Sequence, residues 1–352
     1  MNRAMVDRLA HALLYEGYIL YPYRPSVKNH QRWTFGGLYP KAWSDAQDGT
    51  DPWIMQTQCL VHGGENARIS VAVRFLHLVD RTVGQLRKPL TQLPTDRDPE
   101  FDLVRTLKIG EKEYQPWQEA IERDVNLGEF NLHELLAKPK DRVLNFSYSK
   151  EIEQLHSPDG QLTGILIREQ QAIEGVVELS CAKVVDDLYR LTIKILNRTN
   201  APVTTRDQAL MKSLISTHTI LGVENGEFVS LTDPPDQWKT QAAQCQNIGT
   251  WPVLVGNEPE RHTILSSPII LSDYPELAPE SPGDLFDSTE IDEILTLRIM
   301  TLTDEEKKTA AGVDDRVRQL LARTDALARD QLMSLHGTLR GLRPVPEEQN
   351  HG

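Results

Sequence analysis

Tyr189-Arg190-Leu191-Thr192-Ile193-Lys194-Ile195 sets an apolar or aromatic residue against a polar one at every step. Period-two alternation puts one set of side chains on one face of a strand and the other set on the opposite face. One face is then buried and the other wet, the habit of antiparallel sheets. The same rhythm extends in both directions. Ile173, Val177, Leu179 and Cys181 share a face of the preceding strand, and Asp186-Asp187 form the turn between the two. Ser157-Pro158-Asp159-Gly160 is a turn signal, after which Gln161–Arg168 returns as the second strand of a hairpin. Leu144, Phe146 and Tyr148 alternate with Asn145 and Ser147, and Ile69, Val71, Val73 and Phe75 alternate with Ser70, Ala72 and Arg74. The stretch Lys88–Pro99, with three prolines, reads as a loop. Strands at this spacing predict an α+β protein with an antiparallel, β-sandwich-like core.

Helical signals flank the core. Val6, Leu9, Ala10, Leu13 and Leu14 fall on one face of an N-terminal helix that Gly17 ends. From Ser281 the pattern turns helical again. Asp287-Ser288-Thr289-Glu290 marks one start and Thr303-Asp304-Glu305-Glu306 has capping-box spacing. Val317, Leu320, Leu321 and Thr324 continue as a further helix, and Leu332, Leu335, Leu339 and Leu342 as another. The predicted division is 1–54 for the helix and an extended segment, 55–272 for the β-rich core, 273–343 for an acidic loop with C-terminal helices, and 344–352 for a charged, disordered tail.

The 352-residue chain carries a formal net charge of −13 with an ordinary globular balance of apolar and charged residues. That acidity disfavours nucleic acid as a partner. No apolar run is long enough for a membrane-spanning helix, and no signal peptide is legible, so the expectation is a cytoplasmic protein without membrane insertion. The sequons at Asn145 and Asn197 are then without consequence. Cys59, Cys181 and Cys245 are far apart and lack metal-ligand spacing, which predicts small buried apolar residues rather than a disulfide, zinc or iron–sulfur framework.

Residues 15–43 invert the sign of the chain. Eight of its 22 aromatic residues lie there (Tyr15, Tyr18, Tyr21, Tyr23, Trp33, Phe35, Tyr39, Trp43), interleaved with Arg24, Lys28, His30, Arg32 and Lys41 and a single carboxylate, Glu16. Rigid aromatic area beside planar cations is the composition of interface hot spots. Tyr18, Tyr21, Tyr23, Arg24, Lys28, Arg32 and Trp33 are therefore the candidate partner-binding residues. The competing reading makes the aromatics core staples beneath a long N-terminal loop. A second candidate is the run 273–293, with eight carboxylates and no Lys or Arg. Its acids suit a helix N-terminus. Asp273, Glu276, Glu280, Asp284 and Asp287 also remain candidates for acidic docking or for a divalent cation, although no standard calcium loop fits them.

Enzyme motifs are fragmentary. Ser147-Tyr148-Ser149-Lys150 fits S-x-x-K but sits in a strand-like stretch without its companion motifs. His133-Glu134 lacks the second histidine of H-E-x-x-H, and neither a dinucleotide fingerprint nor a P-loop occurs. The expected catalytic set is empty and no cofactor is expected, with a divalent cation left open. His62, His77, His218 and His262 are dispersed; Thr217-His218-Thr219 and Arg261-His262-Thr263 meet only if folding brings them together.

Two segments carry a family likeness. Leu14–Gly36 (Leu-Tyr-Glu-Gly-Tyr, Tyr-Pro-Tyr-Arg-Pro-Ser, Arg-Trp-Thr-Phe-Gly) and Ser266–Glu306 (Ser-Ser-Pro-Ile-Ile-Leu, Ala-Pro-Glu-Ser-Pro-Gly-Asp-Leu-Phe-Asp, Thr-Glu-Ile-Asp-Glu-Ile-Leu) resemble an uncharacterised accessory family encoded in bacterial gene clusters for high-affinity, actinobacterial-type nickel–iron hydrogenases. The likeness covers most of the chain and brings no catalytic residues with it. A hydrogenase large subunit would need paired C-x-x-C motifs and a small subunit many cluster cysteines, so three scattered cysteines leave neither role. What the resemblance implies is a non-catalytic protein for hydrogenase assembly or maturation, with hydrogenase subunits or other maturation proteins as partners. The alternatives are a structural subunit retained in the complex and a metal-dependent hydrolase or transferase using the 273–293 carboxylates.

Overall fold

One strand organises the molecule. In a computed structural model describing residues 3–16, 35–94, 99–200 and 202–275, β1 (Ile54–Leu90) runs for 37 residues. After it come β2 (Phe101–Leu103), β3 (Leu107–Ile109), β4 (Lys112–Tyr114), β5 (Trp117–Asn131), β6 (Lys140–Phe146), β7 (Ser149–His156), β8 (Leu162–Gln170), β9 (Ile173–Val185), β10 (Leu188–Asn197), β11 (Ile215–Val229), β12 (Trp251–Leu254) and β13 (Thr263–Ser267). Among the described residues, the α-helices are α1 (Arg3–Glu16) and α2 (Lys41–Ala46) before β1, and α3 (Leu132–Ala137), α4 (Arg206–Leu210) and α5 (Lys239–Ala243) between strands. All the strand pairs are antiparallel, and apart from the β3–β4 ribbon they join into one 11-stranded sheet.

The length of β1 explains the single sheet. On one edge it pairs in turn with β10, β5 and β2; on the other it pairs with β11 and then β8. Its first half anchors the path β12-β13-β11-β1-β10-β9-β6. Its second half carries an arm made of β7 and β8. The expectation of a sandwich holds in its antiparallel pairing. The hydrogen bonds, however, draw one curled sheet in place of two facing ones. Side chains bring β6 round to β5: the Arg123 guanidinium lies 4.9 Å from the Phe146 ring and that of Arg142 lies 4.9 Å from Phe130.

The inner face holds the main core. Met55, Cys59, Val61, Ile69, Val71, Val73 and Phe75 point inward from β1 and meet Tyr189, Leu191, Ile193 and Ile195 of β10, Ile173, Val177 and Leu179 of β9, and Leu132 and Leu135 of α3. Asn131 caps α3, its side chain accepting from the amides of His133 and Glu134. Within β10, the alternation 189–195 faces the core as expected, with Arg190, Thr192 and Lys194 half-buried on the other side. The Ser157–Gly160 hairpin also forms as expected, closed by Gly160 N–H donating to Ser157 O at 2.8 Å.

Two expectations are corrected. The outer face of β1 is covered rather than wet around Ala72 and Arg74, because α1 lies across it: Val6, Leu9, Ala10 and Leu13 bury against Ala72, Ile220, Val253 and Leu265. Each of the large apolar side chains contributes on the order of 1.5–3 kcal/mol by leaving water. The proline-rich stretch after Arg87 is not wholly a loop, since β1 continues through Leu90, which pairs with Leu162. The helices expected over 281–343 and the tail 344–352 lie outside the described residues. No helix among the described residues is long and apolar enough to cross a membrane.

Candidate interaction site

Both ends of the aromatic–basic segment are held on one region of the sheet. At its start, Leu14 of α1 is buried with Tyr39, Leu76, Leu78, Leu210 and Ile215. At its end, Phe35 O accepts from Ser216 N–H at 3.1 Å and Gly36 O from Thr217 N–H at 3.1 Å. Leu38 and Leu214 then exchange both backbone hydrogen bonds. The chain therefore leaves α1 beside Ile215 and returns beside Ser216.

A buried side chain secures the return. Asn197 Nδ2 donates to Leu38 O and to Lys212 O, both at 2.8 Å, while its Oδ1 accepts from Thr199 N–H at 2.9 Å. Asn197, fully buried, ties β10 to the returning segment and to the start of β11. Gly36 is required here on two grounds. Its φ is +53°, and a Cβ would lie 2.6 Å from that of Pro268.

Pro268 leads to the root of the acidic run, so the two oppositely charged segments leave from adjoining positions. Ile269 and Leu271 pack against the α1 cluster. Asp273 Oδ2 accepts from Ser230 Oγ at 2.5 Å, its Oδ1 accepts from Leu254 N–H at 2.8 Å, and Tyr274 N–H donates to Leu254 O at 2.8 Å. Asp273 thus holds the chain between β12, through Oδ1, and the end of β11, through Oδ2. Of the residues expected at a site, Asp273 alone is described. Tyr18, Tyr21, Tyr23, Arg24, Lys28, Arg32 and Trp33, and Glu276, Glu280, Asp284 and Asp287, lie outside the described residues. Of the remaining aromatics in 15–43, Tyr39 and Trp43 serve as staples: Tyr39 is buried with its hydroxyl accepting from Arg206 Nη2 at 2.9 Å, and Trp43 Nε1 donates to Asp51 at 2.9 Å. Lys41 lies over Trp53 at 5.1 Å, with Arg198 over the same ring at 5.3 Å.

Residues of the S-x-x-K fragment make contacts within the sheet. Lys150 pairs with Glu169 at 3.8 Å, and Ser147 O accepts from Gln170 Nε2 at 3.2 Å, both on the β6–β7 connection and its neighbour. Asp187, at φ +56°, turns β9 into β10. Burial pushes the Cys59 thiol up and that of Cys181 up to about 11, and raises Cys245 as well, so all three are poor nucleophiles. Among the described residues, no three His, Cys, Asp or Glu side chains converge to hold a metal ion.

Folding does join two of the stretches that sequence left apart: Thr219 pairs with Ser266 and Gly222 with Thr263. His218 Nδ1–H donates to Ser216 O at 2.8 Å, a tautomer required by the carbonyl, and leaves Nε2 as acceptor 3.3 Å from Ser267 Oγ. Ser267 Oγ in turn accepts from Ile269 N–H at 3.1 Å. Both side chains are fully enclosed, and the pair fixes the turn that sets Pro268 beside Gly36. Burial, reinforced by Arg74 and opposed by the Ser216 carbonyl, lowers the His218 pKa to about 4. On the inner face, Ser266 Oγ joins Thr57 at 2.8 Å and Thr250 at 2.7 Å. Sequence reasoning had no signal for Asn197 beyond a sequon, nor for Ser266 and Ser267 beyond the likeness that contains them.

No protein-family model matches the chain, and no curated protein sequence matches it.

Proposed function

We propose that this is a non-catalytic accessory protein that acts by protein–protein contacts in assembly or maturation of a nickel–iron hydrogenase complex in the cytoplasm. The observation that carries the reading is the shared anchorage of two oppositely charged segments. The aromatic–basic stretch is held at Leu14 and Phe35–Leu38, and the acidic run begins at Pro268–Asp273 beside it. A folded body that fixes the ends of an aromatic, cationic stretch limits the entropy lost when a partner is gripped. Tyr21, Tyr23, Arg24, Lys28, Arg32 and Trp33 supply the contact, and the resemblance of 14–36 and 266–306 supports hydrogenase subunits or maturation proteins as the partner.

The test is affinity capture of the hydrogenase subunits by tagged protein. Capture by wild type, lost on combining Arg24→Glu with Trp33→Ala in a protein of unchanged thermal stability, supports the reading. Capture undiminished by the double substitution rejects the site. Release of the protein from the finished, active complex separates an assembly factor from a retained subunit.

A further inference from the structure

Where β1 changes partners, the chain crosses between the main curl and the β7–β8 arm. On one edge of β1, pairing with β11 stops at Leu76, opposite Ile215, and pairing with β8 starts at Val79, opposite Gln170, leaving His77 and Leu78 between them. Two further crossings pass the same point, Ser147–Tyr148 from β6 to β7 and Gln171–Ala172 from β8 to β9. His77 and Gln170 staple them. His77 Nε2–H donates to Gln171 O at 2.9 Å, and Gln170 Nε2 donates to Ser147 O at 3.2 Å. Arg123 Nη2 donates to Gln170 Oε1 at 2.7 Å. The Phe146 ring stands between His77, at 5.8 Å, and the Arg123 guanidinium.

Because Nε2 must carry the hydrogen to meet a carbonyl, Nδ1 of His77 is a lone-pair acceptor. It is closed to solvent and has no hydrogen-bond partner, as is Nε of Arg123. A proton on Nδ1 would find no acceptor in this enclosed position, and would add a second cation beside Arg123. Among the described residues, the charged group acting on His77 is Arg123 rather than a carboxylate. On this face of β1, β5 presents Arg123 and Glu119, and Glu119 is bound by Arg81 of β1 and Arg168 of β8, each at 2.8 Å. Arg168 also takes Glu153 of β7 at 2.7 Å, and β6 contributes the Phe146 ring.

We propose that His77 is an acid-sensitive latch: protonation of its enclosed ring releases the β7–β8 arm from the main curl, while the curl itself stays folded. Burial first, and Arg123 next, hold this histidine at about 4 against 6.5 for a free imidazole, with the Gln171 carbonyl opposing them. The open arm therefore binds a proton that the closed arm rejects.

Hydrogen exchange of the full chain, corrected for intrinsic rates, tests this at about pH 7.5 and about pH 5. Protection over 147–172 should fall about 30-fold at the lower pH, the ratio set by the open and closed proton affinities. Protection over β10, which is lost only when the whole fold opens and both His77 and His218 are exposed, should fall further while staying above that of the arm. His77→Phe, which keeps an aromatic ring against Phe146, should abolish the difference, and His218→Gln should leave it in place. The latch is refuted by unchanged arm protection in wild type, or by the same loss in His77→Phe. Should that variant not fold, wild type decides: arm protection that falls about 30-fold and stays below that of β10 at both pH values upholds the latch, and arm protection equal to that of β10 at both overturns it.

Discussion

Replacing Asn197 by alanine probes the anchor on which the interaction site depends. Asn197 makes three hydrogen bonds in a fully buried position, to Leu38 O, Lys212 O and Thr199 N–H. Truncation leaves the Thr199 amide and the Lys212 carbonyl without this partner. Leu38 O keeps its bond from Leu214 N–H at 3.1 Å and so loses less. An orphaned buried group costs about 1–3 kcal/mol, and carbonyls with a remaining lone-pair partner sit at the low end. Asn197→Ala should therefore destabilise by about 3–5 kcal/mol. Urea unfolding followed by fluorescence and circular dichroism together measures it, with coincident curves and an unchanged m-value securing the comparison. Exchange of the Leu38 and Leu214 amides should accelerate more than that of β9. A loss under about 1 kcal/mol, or exchange at Leu38 equal to wild type, would refute the clamp.

Other consequences follow from the same contacts. His77 and His218 are enclosed and neutral, so the unfolded chain binds more protons below pH 6.5. Their contribution is complete above that value and is lost as pH falls toward about 4, at most about 3 kcal/mol each; urea midpoints should decline across this window, and less steeply in His218→Gln. Gly36→Ala should cost about 2–3 kcal/mol or more from positive φ and the collision with Pro268, seen as a lowered thermal midpoint. Thiol titration with a disulfide reagent at neutral pH should be slow in the native protein and give three equivalents in denaturant.

Local pattern was legible; pairing between distant strands was not. The apolar stripe of α1 and the alternation at 189–195 are period arguments, and both faces bury as read. The Ser157–Gly160 turn carries its own chemistry. Nothing local in 54–90 tells that β1 trades β11 for β8 after Leu76, because edge hydrogen bonds are made by backbone common to all residues. That is why a sandwich was expected where one sheet curls. Ala72 and Arg74 read as a wet face because the helix covering them is some 60 residues away in sequence. His218 and Ser267 are 49 residues apart and meet only through β11–β13 pairing. The aromatic density at 15–43 was visible, but its division was not: Tyr39 and Trp43 became staples once Arg206 and Asp51 were brought beside them.

The most direct measurement is a binding isotherm between this protein and purified hydrogenase subunits, for wild type and for Arg24→Glu combined with Trp33→Ala. Hot-spot residues contribute about 2 kcal/mol or more each, so the double substitution should weaken binding by at least about 30-fold, and by about 1,000-fold if the two add, while leaving the urea midpoint unchanged. Equal affinity for both proteins, or no binding by wild type, would contradict the account.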